Sequence, residues 1–259
     1  MKYISKLLDE EFLQAEFPDI KVETHVSLPS TQDNLKLKLD KLNQPVLCLA
    51  EQQTAGRGRG LNRKWASPFA TNIYLSTLYF SPKKLQELEG LSLVLGLSIV
   101  KTIKALGIEA KIKWPNDVFC HDKKIAGVLS EAFNNKEKGA KVIIGIGLNV
   151  NMDQNQEIDQ VWTSLKNESG QYFDRNLIVV NLMKNLMLYF KKFEKDGIAP
   201  FLKDWQEHDY LYDKTVSFEA GNQPITGQVK GIDEKGRLLL LLDNHQTISI
   251  SAGEATLRK

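Results

Sequence analysis

The residues best suited to chemistry in this chain crowd into three short stretches. Positions 51–65 read EQQTAGRGRGLNRKW, and three of the six arginines in the chain, Arg57, Arg59 and Arg63, fall within seven residues there, interleaved with Gly56, Gly58 and Gly60. Arginine offers a planar fork that grips phosphate or carboxylate at two points, and glycine lets a backbone fold down over the bound anion. The expected device is a lid, loose without ligand and settled once the ligand arrives. Two familiar phosphate loops do not match. A Walker loop needs Gly-Lys-Ser/Thr where Gly60 is followed by Leu61 and Asn62, and a dinucleotide fingerprint starting at Gly56 needs Gly or Ala at Leu61 and a helix next.

The second stretch, KIKWPNDVFCHDKKIAGVLSE at 111–131, brackets a tight turn with Lys113, Asn116, Asp117 and Lys124, and Pro115 sets the bend. Asp117 could hold Mg²⁺ through oxygen, and Lys124, on the returning strand, could face an anion as a point charge. The third stretch, IGIGLNVNM at 144–152, places Gly145 and Gly147 in an otherwise apolar strand. Glycines there weaken a strand unless something must approach closely, so they read as clearance for a flat ligand, with Asn149 offering an amide. Taken singly, an ordinary turn and a bulged core strand account for the last two stretches; their joint occurrence with the arginine loop favours a binding site.

The elements that must position these residues follow from periodicity. ISKLLDEEFLQAEF at 4–17 reads as a helix, IKVETHV as a strand, and Ser30-Thr31 as the cap of a short helix carrying Leu35, Leu37, Leu39 and Leu42. PVLCLAE is a buried strand that delivers the chain into the arginine loop. TNIYLSTLYF is β-rich, 81–107 reads as one long helix closing on Gly107, and strands return as a meander from 110 to 151. Residues 176–196 form a second long helix ended by Gly197. The order predicts an α+β fold rather than alternating βαβ. From about residue 214 four short β-like runs without a helix suggest a small appended β-barrel of SH3-like size, dividing the chain into 1–212 and 213–259.

Composition bounds the function. At 259 residues, 42% hydrophobic and with a net charge of +2, the chain can bury a full core but lacks the basic excess of a general nucleic-acid binder. Cys48 and Cys120 sit in apolar, strand-like contexts with neither disulfide nor zinc spacing, and His25, His121, His208 and His245 lie in separate elements without metal spacing. The N-terminus lacks a signal peptide's basic start and apolar run, and no stretch approaches the roughly 20 apolar residues of a membrane span. A cytoplasmic protein without membrane or DNA partners is expected.

In the right order along the chain, EQQTAGRGRG…RKWASP at 51–68, KWPND at 113–117, KKIAGVL at 123–129 and GIGLNVN at 145–151 resemble the signature segments of biotin protein ligases, also called biotin–acetyl-CoA-carboxylase ligases. PSTQDNL at 29–35 is similar to the family's Ser-Thr biotin segment, and GEATLR at 253–258 to its C-terminal β-module. The resemblance covers nearly the whole chain. It implies a mixed central sheet flanked by helices, of class II synthetase type, followed by an SH3-like barrel. It also implies a reaction in which biotin and ATP give biotinyl-5′-AMP with Mg²⁺, after which a lysine of the biotin carboxyl carrier protein of acetyl-CoA carboxylase takes the biotin. Carried over residue by residue, Ser30, Thr31 and Gln53 would bond the ureido group, while Gly56, Arg57 and Arg59 would hold ligand and phosphate from the lid. Trp65 would pack at the adenylate side and Lys124 would bind carboxylate and α-phosphate. Gly127 and Gly147 would line the biotin tail, Asn149 would meet adenine, and Asn116 and Asp117 would place Mg²⁺ and the attacking lysine.

Two departures stand out. The loop carries Gly60-Leu61-Asn62 where many relatives have a shorter, more basic link, and about 20 residues precede the first strand where repressor-type members carry a winged helix-turn-helix of about 60. Operator binding is therefore not expected. A lipoate ligase is the nearest rival reading and a non-catalytic binding module the next; the polar set Ser30, Thr31 and Gln53 suits a ureido ring better than a dithiolane. Exposed edges of the main sheet could pair two subunits as a homodimer or dock the carrier.

Overall fold

The computed structural model describes residues 6–60, 63–135, 138–154, 158–220, 223–251 and 256–257. The tip of the arginine loop at Leu61-Asn62, Lys136-Glu137 of the polar turn, and most of GEATLR lie outside the described residues.

Seven strands form the central sheet: β1 (Lys21–His25), β2 (Val46–Ala50), β3 (Ile73–Ser81), β4 (Lys111–Lys113), β5 (Asp117–Cys120), β6 (Lys123–Asn134) and β7 (Ala140–Leu148). Their spatial order is β1-β2-β3-β7-β6-β5-β4, with β1 and β2 parallel and every other pair antiparallel, so the sheet is mixed. The two-residue period of a strand sends alternate side chains to opposite faces. Leu47, Leu49, Ile73, Leu75, Val142, Ile144 and Ile146 face the main core, which they share with α1 (Glu10–Glu16), α3 (Leu91–Lys104) and α5 (Arg175–Asp196). Val46, Cys48, Leu78 and Ile143 face the other way and meet Leu35 of α2 (Thr31–Leu37) in a second, smaller cluster. α4 (Leu165–Ser169) and α6 (Leu202–His208) are short connectors.

Two helices differ from the periodicity. α1 begins at Glu10; of the predicted helix start, residues 4 and 5 lie outside the described residues, and residues 6–9 are drawn to tertiary partners and the cap: Leu8 N donates to Glu51 at 2.6 Å, Lys6 O accepts from Arg175, and Asp9 caps the helix by accepting from Phe12 N. The 81–107 segment is split at Gly90, whose φ of +80° resets the chain between a 3₁₀ turn at Leu85–Leu88 and α3. A side chain there would stand 2.7 Å from Ile198 and 3.3 Å from the carbonyl of Lys235, so the break is also a point of contact with the C-terminal sheet.

That sheet consists of β8 (Thr215–Ala220), β9 (Gln223–Ile232), β10 (Leu238–Leu241), β11 (Thr247–Ile250) and β12 (Thr256–Leu257), in the order β11-β10-β9-β8-β12. Its inner residues Val216, Phe218, Val229, Leu238 and Leu240 are continuous with the main core. Trp114 donates its indole N–H to the Gly236 carbonyl at 3.0 Å and meets Phe218 edge to face. Among the described residues, no helix is long and apolar enough to cross a membrane.

Candidate active site

The face of the central sheet that carries Ser76, Gly127, Gly145 and Gly147 is the one α2 covers only in part. Sheet register lines up the row: Tyr74 opposes Gly147, Gly147 opposes Gly127, and Gly127 opposes Asp117. Glycines in the middle of that row leave a depression, and the arginine loop closes over it. The result is a cleft lined by Ser30, Thr31, Gln53, Arg57, Arg59, Trp65, Asn116, Asp117, Lys124, Gly127 and Gly147. Of the residues singled out from the sequence, Gly56, Arg63, Lys113 and Asn149 do not line this cavity.

Gly56 lies just behind the wall. The described part of the arginine loop is a small hairpin, in which Gly58 N donates to Arg63 O at 2.7 Å and Trp65 N to Gly56 O at 2.9 Å. A Cβ on Gly56 would stand 2.5 Å from the Trp65 carbonyl, so that glycine permits the two arms to touch. Asn149 is buried and its amide is committed: Nδ2 donates to Thr163 O at 2.9 Å, and Oδ1 receives Asn72 at 3.5 Å. It braces the loop after β7 and does not line the cavity.

The clearance over Gly147 is taken by this chain's own indole. A Cβ on Gly147 would lie 2.2–2.6 Å from three atoms of the Trp65 ring, and one on Gly127 would lie 3.1 Å from it. The flat group expected at this position is thus Trp65 in this structure; its ring N–H is buried with no hydrogen-bond partner among the described residues. Over Gly145 the space is held by the Gln32 carboxamide, whose oxygen would be 2.6 Å from a Cβ there.

Charge and polarity divide along the wall. At one end Lys124 Nζ stands 2.9 Å from Asp117 Oδ2 and 5.3 Å from the Trp65 ring centre, a cation over an aromatic face. Asn116 holds the turn beneath them by donating to Val128 O at 2.7 Å. At the other end runs a chain of neutral groups: Gln53 Oε1 accepts from Thr31 N at 2.9 Å and from its hydroxyl at 3.2 Å, the Thr31 and Ser76 hydroxyls are 2.9 Å apart, and Ser76 donates to Gln32 at 3.1 Å. Ser30 caps α2 by accepting from Asp33 N, which fixes Thr31 against the sheet. Such a wall can bond a small polar ring from several sides.

Arg57 ties α2 to β6 beside the neutral end. Its Nη1 is 2.6 Å from Asp33 and 3.5 Å from Glu131, and Glu131 also pairs with Lys36 at 2.8 Å and receives Gln32 at 3.0 Å. Burial pushes the Glu131 carboxyl upward, but Lys36, Gln32 and Arg57 together outweigh it and hold the group below the usual glutamate range. Asp33, Glu131, Gln32 and Ser76 were not anticipated from the sequence. The signals were present but weak: a carboxylate three positions after the Ser30 cap, and single polar residues on the cavity face of apolar strands.

Two family models match the chain. That of the Biotin/lipoate A/B protein ligase family covers residues 25–149, and that of the Biotin protein ligase C terminal domain covers 213–258. The Bifunctional ligase/repressor BirA of Salmonella typhimurium is 35% identical over 241 residues, spanning 92% of this chain and 75% of that protein. The chain belongs to the biotin protein ligase family. Consistent with this, a protein named biotin–acetyl-CoA-carboxylase ligase from Mycobacterium tuberculosis is 32% identical over 215 residues, 81% of this chain and 77% of its own length. Biotin protein ligase from Aquifex aeolicus in complex with biotin and ATP superimposes with a TM-score of 0.79 at 33% identity, covering 92% of this chain and 99% of that one. This ligase therefore has the biotin ligase fold, and every residue lining the glycine-floored cavity lies within the segment matched by the first model.

Proposed function

We propose that this ligase activates biotin with ATP and passes it to a lysine of a carboxyl carrier, that of acetyl-CoA carboxylase. The observation that carries this reading is the meeting of Lys124, Arg57 and Arg59 with the neutral Thr31–Gln53 wall in one cavity. In the first step a biotin carboxylate oxygen attacks the α-phosphorus of ATP and pyrophosphate leaves. In the second a carrier amine attacks the acyl carbon, an amide forms, a proton is lost, and AMP departs. Both steps gather negative charge on phosphate oxygens, so positioned cations and exclusion of water supply the acceleration without a covalent enzyme intermediate.

In this reading Thr31, Gln53 and Ser30 hold the ureido ring. Lys124 sits between carboxylate and α-phosphate, Arg57 and Arg59 hold phosphate, and Trp65 packs on the adenylate. Gly127 and Gly147 leave room along the tail, whereas Asn149 acts from behind the wall rather than on adenine. Asp117 suits Mg²⁺ in the one-carboxylate manner that takes its remaining ligands from phosphates and water. When bound, the ion would neutralise phosphate charge; Asn116 keeps the Asp117 turn in place. The lipophilic alternative, lipoate, finds a wall whose hydroxyls and carboxamides it cannot satisfy. Residues 1–212 would carry the chemistry and 213–259 would complete the surface met by the carrier, a division supported by the family match at 213–258.

The test is ATP–pyrophosphate exchange with Mg²⁺ and biotin, lipoate or neither. Exchange that depends on biotin is expected; exchange with lipoate alone would overturn the pocket assignment, and silence from all three in folded protein would overturn the reaction.

A further inference from the structure

On the face of the central sheet away from the main core, Glu23, His25 and Cys48 come together at the edge strand. The parallel register of β1 and β2 sets Glu23 beside Cys48, and the two-residue strand period puts His25 on the same face as Glu23. A carboxylate oxygen, an imidazole nitrogen and the Cys48 sulfur all lie within 4.8 Å of one another. Glu23 Oε2 and His25 Nε2 are buried atoms without a hydrogen bond among the described residues, and they stand 3.8 Å from each other, too far to satisfy one another as a hydrogen bond. Buried polar atoms are rarely left without hydrogen bonds, and two of them within 4.8 Å of one sulfur point to a ligand.

We propose that Glu23, His25 and Cys48 form a binding site for a zinc-class divalent cation, independent of the ligase cavity. Thiolate with imidazole selects the borderline and soft transition metals over Mg²⁺ or Ca²⁺, and three protein ligands leave a fourth, tetrahedral position for water. Ligand atoms around such an ion stand roughly 3.3–3.8 Å apart, given bonds of 2.0–2.3 Å, so small side-chain rotations complete the site. The Asn34 amide of α2 already donates to the sulfur at 3.3 Å, an outer bond of the kind that orients a metal ligand. Two ammonium groups stand in the way: Lys21 is 2.8 Å from Glu23 Oε1 and Lys38 is 3.5 Å from Oε2. Both are on half-exposed stems and can turn to solvent as the ion arrives. Burial pushes the Cys48 thiol up to about 11, so the metal displaces a proton that passes to solvent, and uptake strengthens with rising pH. Bound there, the ion would join β1, β2 and, through Asn34, the helix whose cap carries Ser30 and Thr31.

The test uses untagged, reduced, chelator-treated full-length protein titrated with Co²⁺. One equivalent should bind with a near-ultraviolet sulfur-to-cobalt charge-transfer band, which Zn²⁺ then abolishes by displacement. Cobalt at Asp117 cannot give that band. Cys48→Ser should lose it, Cys120→Ser should keep it, and Glu23→Gln, checked for an unchanged far-ultraviolet circular dichroism spectrum, should weaken binding at least tenfold. No band in folded wild-type protein, or a band that survives Cys48→Ser, would overturn the proposal.

Discussion

Arg57 and Arg175 each hold a carboxylate at 2.6 Å, and there the likeness ends. Arg57 pairs with Asp33 at the cavity mouth, where both side chains keep 35–41% of their exposure. Arg175 pairs with Glu51 where exposure is 0% and 6%, donates further to Asn72 O and Lys6 O, and leaves its Nε without a partner among the described residues. Glu51 in turn takes the Leu8 N–H at 2.6 Å and directly precedes the arginine loop. Water competes for the first pair, so an arriving anion can exchange with Asp33 at little cost. The second pair has no such substitute: losing one partner strands the other in the core. The loop therefore has a rigid root and a replaceable clasp, two uses of the same ionic contact separated by burial alone.

That contrast can be broken at its strong end first. Arg175→Ala should cost about 3–5 kcal/mol, read as a lowered urea midpoint, because it leaves Glu51 buried and unpaired; a loss under about 1 kcal/mol would remove the rigid root. Lys124→Ala should lower biotin-dependent exchange by about 100-fold or more, with a smaller fall in the urea midpoint than Arg175→Ala because the Asp117 carboxylate it leaves behind keeps part of its access to water. Asp33→Asn should cost no more than about 1 kcal/mol of stability and should change the KM for ATP rather than the midpoint. An Asp33 variant as unstable as the Arg175 variant would erase the distinction.

The smallest effect concerns pH. Glu131 is held below its ordinary range when folded, so its contribution to stability is present above that range and fades as pH falls through the lowered value. Glu131→Gln should therefore be less stable than the parent near neutrality, and the two should converge in acid. Parallel curves of unfolding midpoint against pH would show that the Lys36 and Arg57 contacts carry no net stabilisation.

Much of this was legible in the sequence for identifiable reasons. The buried strand before the arginine loop, the Ser30 cap and the glycines of β7 are local signals, and the structure keeps all of them. What escaped depends on distant partners. Residues 6–9 look helical alone but are drawn out by Glu51 and Arg175; Gly90 interrupts a helical pattern because Ile198 and Lys235 press on it. Gly147 reads in the sequence as clearance for a flat ligand, and nothing local says that Trp65 stands over it instead. Likewise, His25 and Cys48 sit 23 positions apart and become neighbours only through the parallel pairing of β1 with β2.

The indole on Gly147 has a thermodynamic consequence. A ligand ring arriving at Gly127 and Gly147 exchanges with a side chain rather than with water, because those backbone surfaces are already dry beneath Trp65. Heat capacity follows the net apolar area removed from water. Insertion at this notch therefore contributes little to it, and the calorimetric signature of binding resides in where the displaced indole comes to rest.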